Sequence, residues 1–226
     1  STAGQDLLNL FFVTFNKYVG KSDKNQAFTP DHITDFMSRI CNVNKNSVVL
    51  DMACGSGSFL VRAMTQALAD CHTKAEEDEV KKHHIYGVEY DELVYGLATT
   101  NMLIHSDGNS NIVQGSCFDE VPNFIADGVK FNVVLMNPPY NAMAKQVPKE
   151  YSKTWGNSKQ DPSKGLYFVK FILGQMNDNK MQGKLAVLLP MACAIGNSAL
   201  MKQMKRAILE NNTLDAVFSL PDDMFY

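Results

Sequence analysis

Four consecutive residues, Asn137-Pro138-Pro139-Tyr140, follow directly on an apolar run, Val133-Val134-Leu135-Met136, and carry the clearest chemistry in the chain. Two prolines cannot continue a central strand, so the backbone must leave the sheet here, with Asn137 held at the strand's carboxyl end. The Asn137 amide oxygen and the Pro138 carbonyl can each accept a hydrogen bond from an exocyclic NH2 group. Accepting both protons concentrates lone-pair density on that nitrogen and prepares it for in-line attack on a methyl carbon. Tyr140 offers a flat face for stacking on a planar substrate, worth about 1–3 kcal/mol per base in comparable settings. No general base of shifted pKa is required, because positioning alone can lower such a barrier by roughly 7–11 kcal/mol.

A second group of residues precedes it. After the short apolar run Val48-Val49-Leu50 comes Asp51-Met52-Ala53-Cys54-Gly55-Ser56-Gly57-Ser58-Phe59-Leu60. A Gly-x-Gly turn between a strand and a helix lets a ligand approach the backbone and points unpaired N–H groups at it. A dinucleotide fingerprint would need a third glycine where this chain has Leu60. Asp51 would repel a pyrophosphate but suits a cationic amine, and Glu89, ending the next apolar run, can accept both hydroxyl protons of a ribose. An amine, a carboxylate and a ribose together describe S-adenosylmethionine.

The elements that must position these groups follow from the hydrophobic pattern. Short apolar runs at 48–50, 85–88, 112–113, 133–136, 185–189 and 214–218 read as strands. Helical stretches read from about Phe59, through Leu93 to Ile104, near Tyr167 to Met176 and near Ala199 to Glu210. That alternation predicts an α/β fold with a doubly wound, mostly parallel sheet. Two helices precede it, one over 5–19 and one starting at Thr29-Pro30-Asp31 with Ile33, Phe36, Met37 and Ile40 at helical spacing. We expect residues 1–45 to form an N-terminal helical segment and 46–226 the main domain. Residues 72–84, rich in both charges, read as a solvated helix end.

The whole chain has 226 residues, 45% of them hydrophobic, and a formal charge of -3, the composition of a folded domain rather than a disordered tail. No apolar stretch reaches membrane-spanning length and the first residues do not read as a signal peptide, so a cytoplasmic protein is expected. Cys41, Cys54, Cys71, Cys117 and Cys193 are widely spaced and predict neither disulfides nor a metal site. The net charge argues against non-specific nucleic-acid binding. Locally the balance reverses: Lys145, Lys149, Lys153, Lys159, Lys164 and Lys170 face only Glu150 and Asp161 between 145 and 170, a local +4. With Tyr151 and Trp155 among them, the segment reads as a flexible basic loop suited to phosphate contacts, Lys145, Lys149, Tyr151, Lys153 and Trp155 being the nucleic-acid-contact candidates.

At these residues the chain resembles the amino-methyltransferases with an (Asn/Asp/Ser)-Pro-Pro-(Tyr/Phe) motif, and more closely the modification subunits of type I restriction-modification systems, which are DNA adenine N6-methyltransferases. Ala27-Phe28-Thr29-Pro30, the glycine loop, Asn101-Met102-Leu103-Ile104-His105, Asn137-Pro138-Pro139-Tyr140, Ala186-Val187-Leu188-Leu189-Pro190 and Ser219-Leu220-Pro221-Asp222-Asp223-Met224-Phe225-Tyr226 carry the resemblance. It implies S-adenosylmethionine as cofactor, with Phe28, Thr29 and Pro30 at its methionine part. Asp51, Ala53, Gly55, Ser56, Gly57 and Phe59 would line the loop, Glu89 and Tyr90 the ribose side, and Ser116 and Cys117 the adenine side. It assigns catalysis to Asn137, Pro138, Pro139 and Tyr140, acting on a flipped adenine. The implied partners are DNA, a specificity subunit or fused target-recognition domain, and a restriction subunit.

The family often places Gly-Asp where this chain has Gly115-Ser116, so weaker cofactor affinity is expected. It also places a final antiparallel strand after the Met-Phe-Tyr segment, so the chain reads as part of a longer protein. Other readings of the same residues are methylation of a protein glutamine amide or an RNA base amine, a nicotinamide oxidoreductase, which Leu60 and Asp51 oppose, and a non-catalytic cofactor-binding subunit.

Overall fold

The computed structural model describes residues 29–105 and 111–221. The helix expected over 5–19, Phe28, and the Asp222–Tyr226 end of the terminal motif lie outside the described residues. Five strands, β1 (Val49–Asp51), β2 (Ile85–Glu89), β3 (Asn111–Gln114), β4 (Val133–Met136) and β5 (Lys184–Val187), form one sheet in the order β3-β2-β1-β4-β5, every pairing parallel. Nine helices are described: α1 (Asp31–Ile40), α2 (Ser58–Ala69), α3 (Lys74–His83), α4 (Glu92–Ile104), α5 (Cys117–Ala126), the single turn α6 (Lys149–Ser152), α7 (Leu166–Asp178), the short α8 (Met191–Ile195) and α9 (Ala199–Leu209).

The strands are apolar on both faces because both are covered. Val49, Ile85, Val133 and Leu135 join one core with Ile33 and Met37 of α1, Leu60 and Met64 of α2, and Ala98 and Met102 of α4. Their neighbours Leu50, Tyr86, Val134 and Met136 point the other way, onto Val121 of α5, Ile172 of α7 and Met201 and Met204 of α9. Strand order runs outward in both directions from β1 and β4, and in such sheets the crevice beyond the carboxyl ends at that reversal receives ligands.

Three expectations need correction. The run Leu214–Phe218 pairs with no described strand; Leu214, Val217 and Phe218 are more than half exposed, and the Phe218 ring sits edge-on to Phe36 at 5.1 Å. Alternating apolar residues make a strand only when a neighbour supplies the ladder. Residues 74–83 form a complete helix rather than a helix end, because Thr73 and Glu76 make a reciprocal capping box. Helix α5 escaped the reading because Pro122 lies inside it.

One close approach fixes the spacing of α2 on the sheet. A Cβ on Gly87 of β2 would lie 2.6 Å from Leu60 Cδ1, with Cys54 Sγ and Ile112 at 3.2 and 3.3 Å. Gly87→Ala should therefore cost about 1–3 kcal/mol and lower the thermal midpoint by roughly 3–10 °C, measured by calorimetry.

Candidate functional site

The carboxyl ends of β1, β2 and β4 deliver Asp51, Glu89 and Asn137 to one cleft of about 220 Å3. Of the residues singled out in the sequence, Thr29, Asp51, Ala53, Gly55, Ser56 and Phe59 line it on one side. Glu89, Tyr90 and Cys117 come from the next two strand ends, and Asn137, Pro138, Pro139 and Tyr140 close the far wall. Pro30, Gly57 and Ser116 are not among the lining residues. Pro30 instead ends its chain segment against α1, taking Ile33 N–H and Thr34 N–H on its carbonyl. Gly57, at φ +81°, turns the loop into α2, and Ser116 precedes α5 while its neighbours Gly115 and Cys117 reach the cleft. Spacing alone did not reveal Val94, Gln146 and Phe168, which the fold brings into the wall from other elements, nor Ser58 and Asn141, which adjoin the glycine loop and the Asn-Pro-Pro-Tyr turn.

The glycine loop is held in place by side chains from outside it. Gly55 takes φ +55°, a conformation that favours glycine. Its N–H donates to Glu89 Oε2 at 2.9 Å, while Asp91 N–H donates to Glu89 Oε1 at 2.9 Å. Each carboxylate oxygen keeps lone-pair capacity for a ligand hydroxyl. On the loop's other side the buried Asn101 of α4 donates from Nδ2 to the Ser56 carbonyl at 2.9 Å. The resemblance marked the Asn101 stretch without saying what it does; here it braces the loop.

Asp51 is 1% exposed, and among the described residues its carboxyl accepts a single hydrogen bond, from the Ala53 N–H to Oδ1 at 3.1 Å. Burial pushes its carboxyl up to about 8, against the pull of that hydrogen bond, and the nearby Glu89 adds to the rise. Burial also raises Glu89. Among the described residues no cationic side chain forms an ion pair with either acid. A cleft with two buried, uncompensated carboxylates favours a ligand that brings positive charge and hydroxyl donors.

At the far wall Asn137 makes both amide contacts. Its Nδ2 donates to Thr29 Oγ1 at 3.0 Å, and its Oδ1 accepts from the Tyr140 hydroxyl at 2.6 Å. Burial pushes the Tyr140 hydroxyl up to about 12, so it remains protonated and a donor at neutral pH. Behind the turn, Gly165 at φ +96° lets the start of α7 approach Pro138; a Cβ there would lie 3.1 Å from the proline ring.

The segment after the turn differs from its reading as a flexible, aromatic-bearing loop. Tyr151 and Trp155 are buried, at 5% and 7% exposure, and so cannot stack on a base from these positions. The Tyr151 ring stacks on Tyr167 with centroids 3.6 Å apart, and its hydroxyl donates to Asp161 Oδ1 at 2.5 Å. Asp161, wholly buried, also accepts from Ser163 N–H, Ser163 Oγ and Gly165 N–H. Lysines every few residues make the aromatics look solvent-facing; the buried carboxylate holds Tyr151 inward, and Trp155 packs edge-on against the Tyr151 ring. Lys145, Lys149 and Lys153 remain exposed, Lys153 paired with Glu150 at 2.8 Å.

Two measurements check this account. An acid whose folded pKa is raised loses stability as pH climbs from its unfolded value near 4 through about 8. Asp51→Asn should therefore raise the thermal midpoint at pH 8.5 and raise it less at pH 5, read by scanning fluorimetry. Tyr151→Phe removes one donor from the buried Asp161 and should cost about 1–3 kcal/mol, whereas Lys145→Ala should leave the midpoint nearly unchanged.

Comparison with known proteins places this geometry. The N-6 DNA Methylase family model matches residues 5–226. The type II restriction enzyme and methyltransferase RM.BcgI of Heyndrickxia coagulans is 34% identical over 98% of the chain, which spans 32% of that relative's length. The type I restriction enzyme EcoEI methylase subunit of Escherichia coli is 27% identical over 88% of the chain and 39% of its own. The crystal structure of a modification subunit of a putative type I restriction enzyme from Vibrio vulnificus YJ016 superposes with a TM-score of 0.67 at 20% identity. That match covers 92% of this chain and 44% of the other, and supports the Rossmann-like methyltransferase fold. Among the described residues no helix is long and apolar enough to cross a membrane. With its family model matched over nearly the whole sequence, the chain belongs to the N-6 DNA Methylase family.

Proposed function

We propose that this chain is the catalytic region of a cytoplasmic DNA adenine N6-methyltransferase, the modification part of a restriction-modification system, using S-adenosylmethionine as methyl donor. The observation that carries the reading is that the Asn137-Pro138-Pro139-Tyr140 turn and the glycine loop with its two buried acids open into the same cleft. The residues fit the cofactor: burial pushes the Asp51 carboxyl up to about 8, a penalty on its ionised form that a cationic amine beside it would relieve, and Glu89 has acceptor capacity for ribose hydroxyls. When bound, S-adenosylmethionine supplies an electrophilic methyl group. The chain supplies the rest. Gly55 and Ser56 give the backbone approach, and Phe59, Tyr90 and Cys117 the apolar walls. Asn137 Oδ1 and the Pro138 carbonyl accept the two N6 protons, and Tyr140 stacks on the base. As the N6–methyl bond forms, the sulfur–methyl bond would break with its electron pair leaving on the sulfur as a neutral thioether, and one N6 proton passes to solvent, so no side-chain base is needed.

Within the chain, 1–45 would be the helical segment bearing the Phe-Thr-Pro motif and 46–226 the catalytic domain. The exposed Lys145, Lys149 and Lys153 would meet phosphates beside the extruded adenine, whose flipping costs a few kcal/mol. Target choice would belong to a specificity subunit or fused recognition domain outside this chain, alongside a restriction subunit. Similarity to a restriction enzyme and methyltransferase and to a type I restriction enzyme methylase subunit favours DNA over a protein amide or RNA amine.

The test separates binding from chemistry. Calorimetry should detect S-adenosylmethionine binding to the chain, and Asp51→Ala should weaken it by at least about tenfold. In the full-length complex, Asn137→Ala should retain cofactor binding and lower N6-methyladenine formation by at least about 100-fold. A folded wild-type chain that binds no S-adenosylmethionine, or an Asn137→Ala complex that methylates normally, defeats the reading.

A further inference from the structure

The contact between Thr29 and Asn137 joins residues 108 apart in sequence. A primary amide has two flipped states of nearly the same shape, and only one presents its oxygen to a substrate amine. A misdirected Asn137 would offer an N–H to an NH2 group and repel the proton it should accept. What selects the productive state has to lie in the amide's surroundings.

We propose that Thr29 is a positioning residue that sets the flip state of Asn137, an inference resting on the methyltransferase reading above. The Thr29 hydroxyl accepts from Nδ2 at 3.0 Å and so turns the nitrogen toward α1. The oxygen then faces Tyr140, whose hydroxyl donates to it at 2.6 Å, and keeps a second lone pair for a substrate N–H. Tyr140 supports the same state: burial keeps its hydroxyl protonated, and it donates to the oxygen that Thr29 leaves facing it. Thr29 is itself well anchored. Pro30 follows it with φ -60°, and the Pro30 carbonyl accepts from the Ile33 and Thr34 N–H groups in the first turn of α1, a helix packed on α2 by Ile33 and Met37. The Phe-Thr-Pro threonine thus acts on the transfer step through Asn137, apart from any contact it makes with cofactor.

The experiment uses the full-length complex on its DNA substrate, with single-turnover methylation at saturating S-adenosylmethionine and the cofactor's Kd measured separately. Thr29→Val keeps the shape and removes the acceptor. At saturating cofactor it should slow transfer by roughly 10–100-fold, a loss separate from any change in Kd. Thr29→Ser restores the hydroxyl and should recover most of the rate. Thr29→Ala, which avoids any misfit of the valine methyl, should show the same loss of rate at saturation. A Thr29→Val complex that transfers at the wild-type rate once saturated, whether or not its Kd has risen, overturns the assignment while leaving the methyltransferase reading intact. A wild-type complex that binds S-adenosylmethionine but methylates no adenine overturns that reading, and this inference with it.

Discussion

Two carboxyl groups lie buried at the ends of adjacent parallel strands with no cationic side chain among the described residues to balance them, and the cleft is arranged around that imbalance. Asp51 carries it most directly: it is sealed from water and accepts one backbone N–H. Glu89 converts part of its own burial into structure by holding Gly55 and Asp91 through their N–H groups, which ties the glycine loop of β1 to the end of β2. The positive φ angles of Gly55 and Gly57 make that loop possible, and Asn101 keeps it from moving away from α4. A protein tolerates uncompensated buried charge where a ligand completes the electrostatics, so the strain sits where function needs it.

The far wall obeys a different physics. Asn137, Pro138 and Tyr140 carry no charge, and their alignment depends on packing and on hydrogen bonds between neutral groups. Gly165 admits the backbone of α7 close to Pro138, and the Asp161 network fixes the residues just before that helix. The two halves of the cleft are therefore supported by different means, one by electrostatic demand and the other by steric fit, and the Thr29–Asn137 hydrogen bond joins them.

Much of this was legible in the sequence where local chemistry decides the outcome. The glycine loop, the double proline and the strand-end acids each impose a backbone geometry on their own, and all arrive in one cleft. The reading failed where a distant partner decides. Leu214–Phe218 has a strand's alternation but no ladder, and Tyr151 and Trp155 look solvent-facing until Asp161, ten residues beyond Tyr151, captures the tyrosine hydroxyl. Ser116 looked like a cleft residue from its place after β3, yet the turn into α5 presents Gly115 and Cys117 instead. The Thr29–Asn137 hydrogen bond was beyond reach of spacing altogether, since no periodicity links positions so far apart.

The length of that tether has a consequence for how the site assembles. Closing a loop of this size costs chain entropy that local elements do not pay, and contacts of long sequence separation tend to be consolidated late in folding. The glycine loop, β1 and β2 are near neighbours in sequence and can organise first. Thr29, though among the first of these residues to leave the ribosome, must wait for β4 before it has anything to hold. Competence to present the Asn137 oxygen is then a property of the finished domain, and a partly folded chain could grip a cofactor before it could use one.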